Sequence, residues 1–215
     1  MKKLIAAALA LTLVGLWSVT AFTAPAKGKE VRPWRAKVAV PKYEAHLKYR
    51  GVSPSSLDNY AVGQSHIDAA WKWRLAQTHK KVFNTFSHAV AVMEREPDFV
   101  FAQSQAAFYE WIELEHPDLF ARMVEMVKRG QWELTGGMWV EPDGNMPDGE
   151  AYVRQRLLGQ RYFLERFGRM SDMEWLPDTF GYNRGLTQIV ARSGGRYLWC
   201  KKITSNKNTI FPFHL

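Results

Sequence analysis

Short apolar runs alternate with longer segments of helical periodicity along the chain after residue 58. Each run holds about four residues, rich in aromatic or β-branched side chains and bounded by turn residues, as buried strands are. These runs predict strands at residues 60–63, 99–102, 132–135, 173–176 and 197–200.

Between the runs, apolar side chains recur at every third or fourth position, as on one face of a helix. Val82, Phe86, Val90 and Met93 share such a face, which predicts a helix over residues 78–95. Capping signals predict three more helices, which are residues 117–128 opened by Pro117, residues 148–167 between Asp148 and Gly168, and a shorter one after Asn183. This alternation predicts an α/β fold with a parallel sheet and crossover helices.

Side chains that can bind a metal follow two of the predicted strands. His66-Ile67-Asp68 comes soon after the first strand, and Asp178 closes the fourth. In an extended segment, residues two apart point to the same side, so His66 and Asp68 face one way and Ile67 the other. Functional residues collect at the carboxyl ends of parallel strands. The sequence therefore predicts one imidazole and two carboxylates around a zinc-type cation.

Each of these residues also has an ordinary structural interpretation. Asp68 can cap a helix that begins near Ala69, and His66 can be a hydrogen-bonded core histidine. Asp178 can form an Asx-turn or a helix cap ahead of Tyr182. The residue types alone leave both interpretations open.

Five other residues are weaker candidates for the same site. Trp71 can stack on a sugar or pack in the core. Glu141 and Asp143 flank a proline in a glycine-rich loop, where acidic residues line a site or are merely solvated. Lys201 and Lys202 follow the fifth strand, and either contact substrate hydroxyls or form a solvated pair.

The first 26 residues have the pattern of a secretory signal peptide, in which two lysines precede a short apolar stretch and small residues. Cleavage is predicted after Ala21 or Ala26, with no stable membrane span afterwards, so we expect a bacterial protein that is periplasmic or secreted. Removing Lys2 and Lys3 lowers the formal net charge of +8 by two, to +6.

Much of the remaining positive charge lies in residues 27–57, a basic, proline-containing arm. Export argues against a nucleic-acid partner for this arm, and its prolines favour an extended, solvated segment. The chain of 215 residues is long enough for one domain with its own core, predicted over residues 58–215. Its single cysteine, Cys200, excludes an internal disulfide and is predicted to be a buried structural thiol.

Three blocks of the sequence, taken in order, resemble glycoside hydrolase family 38, the class II α-mannosidases. They are residues 62–71, residues 136–145 and residues 175–182, and the segments 198–202 and 211–215 continue in the family's order. The resemblance implies the family's seven-stranded β/α barrel, incomplete at the C-terminus. It also implies that His66, Asp68 and Asp178 are zinc ligands, although another divalent metal is possible.

The resemblance further implies metal-dependent, retaining hydrolysis of terminal α-mannosidic linkages in a mannose-containing oligosaccharide or glycan. Asp178 would be the catalytic nucleophile. Trp71 would stack on the sugar, Phe180 would line the site, and Lys202 would contact the substrate. Family members continue to an acid/base aspartate and a further histidine ligand that these 215 residues lack, so we expect a fragment.

Two other functions remain open from the sequence. A metal-dependent polysaccharide deacetylase also uses an incomplete barrel with Asp and His ligands, but it would need a pair of histidines on one helix face. His79 and His88 do not have the i, i+4 spacing of such a pair. The other alternative is a non-catalytic remnant that binds a sugar or a metal.

Overall fold

The computed structural model describes residues 61–205. The predicted signal peptide, the basic arm and the family block at residues 211–215 lie outside the described residues. The elements, in chain order, are β1 Gly63–Gln64, α1 Leu75–Arg95, β2 Phe101–Gln103, α2 Ala106–Glu115, α3 Pro117–Lys128, β3 Trp132–Leu134, α4 Gly149–Phe167, β4 Met173–Leu176, α5 Arg184–Arg192, β5 Tyr197–Cys200 and a final 3₁₀ turn at Lys202–Ser205.

The strands form two small parallel sheets. One sheet has the order β1-β2-β3, with Gly63 opposite Phe101 and Phe101 opposite Trp132. The other pairs β4 with β5, with Leu176 opposite Cys200. The α/β class and the parallel pairing are therefore confirmed, while the strands described between residues 61 and 205 do not form a seven-stranded barrel. None of the helices in this range is both long and apolar enough to cross a bilayer.

Several predicted boundaries agree with the structure. β4 and β5 have the predicted bounds, and α3 begins at Pro117. The Asp148 carboxylate accepts a hydrogen bond from the Ala151 N–H at 2.7 Å, and Gly168 ends α4 in the left-handed conformation at φ 73°. Capping residues thus fixed these helix ends locally.

Several predictions need correction. The strand predicted at residues 60–63 is Gly63–Gln64, and the strand predicted at residues 99–102 is Phe101–Gln103. The helix predicted over residues 78–95 begins at Leu75, one turn earlier. The helix α2 was not predicted, because its side chains are buried on several sides and show no apolar stripe. Its buried residues are Ala106, Ala107, Phe108, Tyr109 and Ile112.

Two clusters of buried side chains hold the elements together. The larger one packs helices α1 to α4 around Trp132, whose ring makes edge contacts with Phe86, Phe101 and Tyr109 at centroid distances of 5.0–6.0 Å. The indole N–H of Trp132 donates to the Tyr109 hydroxyl at 2.9 Å, which satisfies its polar group. The smaller cluster surrounds Leu176 at the end of β4. The half-buried Cys200 packs against it, and burial raises the pKa of its thiol.

A buried ion pair joins α4 to β4 beneath the strand ends. Arg156 and Glu174 are each 1 % exposed, and their side chains meet at 2.5 Å. Arg156 also donates to the Ser193 hydroxyl and carbonyl, and Glu174 accepts from the N–H of Gly137 and of Trp175. Burial raises the pKa of the Glu174 carboxyl, while the guanidinium and the backbone donors oppose that shift.

Replacing Glu174 with Gln should lower the free energy of unfolding by about 3–5 kcal/mol, because Arg156 then stays buried without a counter-charge. Denaturant unfolding measures this loss. The matched control is Glu125→Gln, which breaks the solvent-exposed Arg129–Glu125 pair and should leave stability nearly unchanged. An equal effect of the two substitutions would contradict the assigned role of the buried pair.

Candidate metal centre

Three residues from distant parts of the chain converge at the strand ends. One ligand atom each from His66, Asp68 and Asp178 lies within 4.8 Å of the other two. His66 and Asp68 follow β1, and Asp178 follows β4. The structure thus brings together the three residues that the sequence predicts as metal ligands.

The local backbone explains how His66 and Asp68 reach one side. The segment after β1 does not enter a helix until Leu75, and its first bends begin at Ala69, just past Asp68. Ile67 lies between the two and is 6 % exposed, packed into the larger core cluster. Burial of this apolar side chain directs its two polar neighbours outward.

The helix-cap alternatives for the two aspartates are wrong. Arg74 occupies the N-cap of α1, so Asp68 caps no helix near Ala69. At α5 the cap is Asn183, whose side chain accepts from the Gly185 N–H at 2.7 Å. Asp178 therefore caps no helix either.

Glu141, from the loop after β3, contacts two members of the cluster, His66 and Asp178. Its Oε2 lies 2.9 Å from His66 Nε2, and its Oε1 accepts from the Asp178 N–H at 2.8 Å and the Thr179 hydroxyl at 3.0 Å. The glycine-rich loop and its acidic residues indicated a site from sequence, but the contacts of Glu141 could not be read from the pattern. Asp143, the other acidic candidate, instead accepts from the N–H of Asn145 and Met146 and closes a turn.

Negative charge dominates the site and alters its titration. The hydrogen bond to Glu141 raises the pKa of His66, against the opposing effect of burial, and the nearby carboxylates of Asp68 and Asp178 add to the rise. One positive side chain, Lys202, lies 2.8 Å from Asp178 Oδ1. The cluster thus favours cations, and an ammonium group already lies against one of its carboxylates.

The three residues predicted to contact a sugar have different surroundings. The ammonium of Lys202 lies 4.1 Å from the ring centroid of Phe180, which is 62 % exposed, so these two residues flank Asp178. Trp71 is 60 % exposed and makes an edge contact with Trp73. It is therefore not a core residue, and the Lys72 ammonium lies over its ring, 5.2 Å from the centroid.

The donor set fits a divalent cation. Imidazole nitrogen and carboxylate oxygen are common zinc ligands at about 2.0–2.2 Å. Two such donors in a tetrahedral zinc site are about 3.4 Å apart, and the three atoms here all lie within 4.8 Å of one another. Small movements of the side chains would suffice to bind an ion.

The fold and the cluster define an α/β domain whose candidate metal site lies at the carboxyl ends of parallel strands. A family model described as the glycosyl hydrolases family 38 N-terminal domain matches residues 56–215. The chain belongs to this family.

Curated relatives agree with the family match. The chain is 46 % identical over 155 residues to alpha-mannosidase 2C1 of Mus musculus, and the matched stretch covers 72 % of this chain and 15 % of that protein. It is 41 % identical over 160 residues to alpha-mannosidase G of Dictyostelium discoideum, covering 74 % and 15 %. It is 37 % identical over 164 residues to alpha-mannosidase of Saccharomyces cerevisiae, covering 76 % and 15 %. The chain thus spans about a seventh of the length of these relatives.

Solved structures share the fold at low identity. An alpha-mannosidase from Enterococcus faecalis V583 superposes with a TM-score of 0.60 at 20 % identity, covering 65 % of this chain and 16 % of that one. A 4-alpha-glucanotransferase from Thermococcus litoralis gives a TM-score of 0.50 at 18 % identity, covering 64 % and 21 %. Both similarities concern the fold alone.

The loop that carries Glu141 is fastened to the Asp178 loop through Gly144. Its N–H donates to the Phe180 carbonyl at 3.1 Å, and its carbonyl accepts from the Asn183 N–H at 3.0 Å. A Cβ atom at Gly144 would collide with the Gly181 carbonyl. Only a residue without a side chain fits this contact.

Gly144→Ala should therefore separate the two loops and lower the free energy of unfolding by about 1–3 kcal/mol, the usual cost of overpacking. Urea unfolding gives the number. Gly149→Ala is the matched control, since a Cβ there meets no atom within 4 Å. If both variants are equally stable, the two loops are not in the contact described.

Proposed function

We propose that this chain supplies the nucleophile and part of the metal site of an α-mannosidase that hydrolyses terminal α-linked mannose in glycans with retention. The observation that carries the proposal is the convergence of His66, Asp68 and Asp178 at the strand ends. Membership of glycosyl hydrolase family 38 and the mannosidase names of the relatives support mannose as the sugar.

The proposed cation is zinc, held by the His66 imidazole and the carboxylates of Asp68 and Asp178. When bound, it would supply a Lewis acid that polarises hydroxyl oxygens of the sugar. Lys202 would leave Asp178 and donate to the sugar. Phe180 and Trp71, both largely exposed, would offer flat faces to its apolar side.

Asp178 would act as the nucleophile. One of its oxygens would bond to the anomeric carbon while the bond from that carbon to the leaving oxygen breaks, giving a glycosyl-enzyme. Water would then cleave this ester and release mannose with its anomeric configuration retained. The two hydrogen bonds of Glu141 to the Asp178–Thr179 segment would hold the carboxylate in position for attack.

The leaving oxygen also needs a proton from a second carboxylic acid, about 5–5.5 Å from the nucleophile in a retaining enzyme. Asp68 belongs to the proposed ligand set, and Glu141 is occupied by three hydrogen-bond partners. We assign this role to neither.

We also propose that β1 to β5 are part of the family's seven-stranded barrel, and that the protein is exported.

Family membership favours glycoside hydrolysis over the deacetylase alternative. The i, i+4 histidine pair that a deacetylase would need is also missing from the sequence. The non-catalytic alternative shares the metal site but not the nucleophile. Metal binding and sugar chemistry are therefore tested separately.

Zinc should bind the full chain at one site, measured by calorimetric titration. His66→Ala, Asp68→Ala and Asp178→Ala should each weaken binding by more than about 100-fold, beyond the roughly 10–100-fold cost of losing an outer-shell partner. His79→Ala is the matched control, because it removes a histidine that contacts a different carboxylate, Glu115, at 2.6 Å. Unchanged affinity in the three cluster variants would exclude this site.

The nucleophile can be tested without the proton donor. A 5-fluoro-α-mannosyl fluoride has a leaving group that departs without protonation, so the zinc-loaded chain should form a covalent mannosyl adduct on Asp178. Intact-mass and peptide mass spectrometry detect the adduct.

Asp178→Asn should abolish the adduct, while Asp172→Asn, just before the opposite end of β4, should not. No adduct on a chain that binds zinc would favour the non-catalytic alternative. An adduct on another residue would contradict the nucleophile assignment.

A further inference from the structure

We propose that Glu141 is a positioning residue that sets both the tautomer of His66 and the placement of Asp178, with Gln105 holding Glu141 itself. This inference rests on the proposed metal site and assigns a role that the predicted ligand set did not include. Glu141 is 8 % exposed at its side chain and contacts both ligand-bearing segments.

The two oxygens of Glu141 have separate partners. Oε2 lies 2.9 Å from His66 Nε2, on the segment after β1. Oε1 accepts from the Asp178 N–H and the Thr179 hydroxyl, on the segment after β4. A single ionised carboxylate accepts on both sides, which no neutral side chain of the same shape can do.

The contact with His66 selects one form of the neutral imidazole. A carboxylate that accepts from Nε2 keeps the proton on that nitrogen, which leaves the lone pair of Nδ1 free for a cation. Carboxylates that orient metal-binding histidines in this way raise ligand basicity and fix the ring. Glu141 therefore determines which nitrogen of His66 faces the ion.

Gln105 places Glu141 in turn. Its Oε1 accepts from the Glu141 N–H at 3.2 Å, and its Nε2 donates to the Ile67 carbonyl at 2.9 Å. Gln105 has φ 68°, which is uncommon for a residue with a side chain, and it is 3 % exposed. This buried amide joins the segment of His66 and Asp68 to the loop of Glu141.

Glu141→Gln tests the inference, because the amide is isosteric but can accept on one side only. If the amide NH₂ faces His66, it donates to Nε2 and forces the imidazole proton onto Nδ1. If the NH₂ faces Asp178, two donors meet and the hydrogen bond from the Asp178 N–H is lost. The matched control is Glu115→Gln, which changes the other His–Glu contact of the described chain, at His79. Cobalt, a zinc substitute with visible absorption bands, is the probe.

In the full chain, Glu141→Gln should weaken cobalt binding about 10–100-fold and shift the visible bands. Its unfolding midpoint without metal should change little, which separates positioning from a general loss of structure. Glu115→Gln should leave affinity and spectrum unchanged. Loss of binding as complete as in His66→Ala would instead make Glu141 a ligand and overturn the inference.

The histidine tautomer gives a second readout that does not need a bound ion. Nitrogen-15 NMR at a pH where imidazoles are neutral should show His66, assigned with a His66→Asn variant, protonated at Nε2 in the parent chain. The Glu141→Gln variant should lose this preference. The same tautomer in both chains, with unchanged cobalt affinity, would refute the inference while the metal site stands. Failure of the parent chain to bind any cation would refute the proposed function, and the tautomer result would still decide the inference.

Discussion

Parallel strands must end on the same side of their sheet, and the candidate site depends on this constraint. β1 and β3 end at one edge of the first sheet, and the loop after β3 reaches the loop after β4 through Glu141 and Gly144. Residues far apart in sequence can therefore share one small volume. A shift of a strand by one residue would turn His66 inward and bring Ile67 to the site, so burial of Ile67 fixes the register.

Buried polar contacts connect the loops of the site to each other and to the strands that precede them. Below the strand ends, the buried Arg156–Glu174 pair joins α4 to β4, and Glu174 accepts from the N–H of Gly137 at the start of the β3 loop. Above them, Glu141 and Gln105 join the loops that carry the cluster. Pre-organised ligands bind a cation without much rearrangement, which is the purpose of such outer-shell contacts. The concentration of carboxylates at the same point supplies the attraction, and Lys202 balances part of it.

The sequence predicted what short-range rules determine. Capping residues located the ends of α3 and α4, apolar runs located β4 and β5, and alternation placed His66 and Asp68 on one side. Helix α2 was missed because a helix that is buried on several sides has no apolar stripe. The position of both segments at strand ends, together with the family resemblance, identified Asp178 as a partner of His66. Periodicity alone could not, because distance in space depends on how the strands pair. The role of Glu141 was missed for the same reason, since a loop carboxylate shows no sign in the sequence of which groups it will accept from.

The proposed site holds one divalent cation between the segments after β1 and β4. Anomalous X-ray diffraction from crystals of the zinc-loaded chain, recorded on both sides of the zinc edge, locates that ion. We expect one strong anomalous peak within bonding distance, about 2.0–2.2 Å, of His66, Asp68 and Asp178. A peak elsewhere, with these three side chains facing different surroundings, would contradict it.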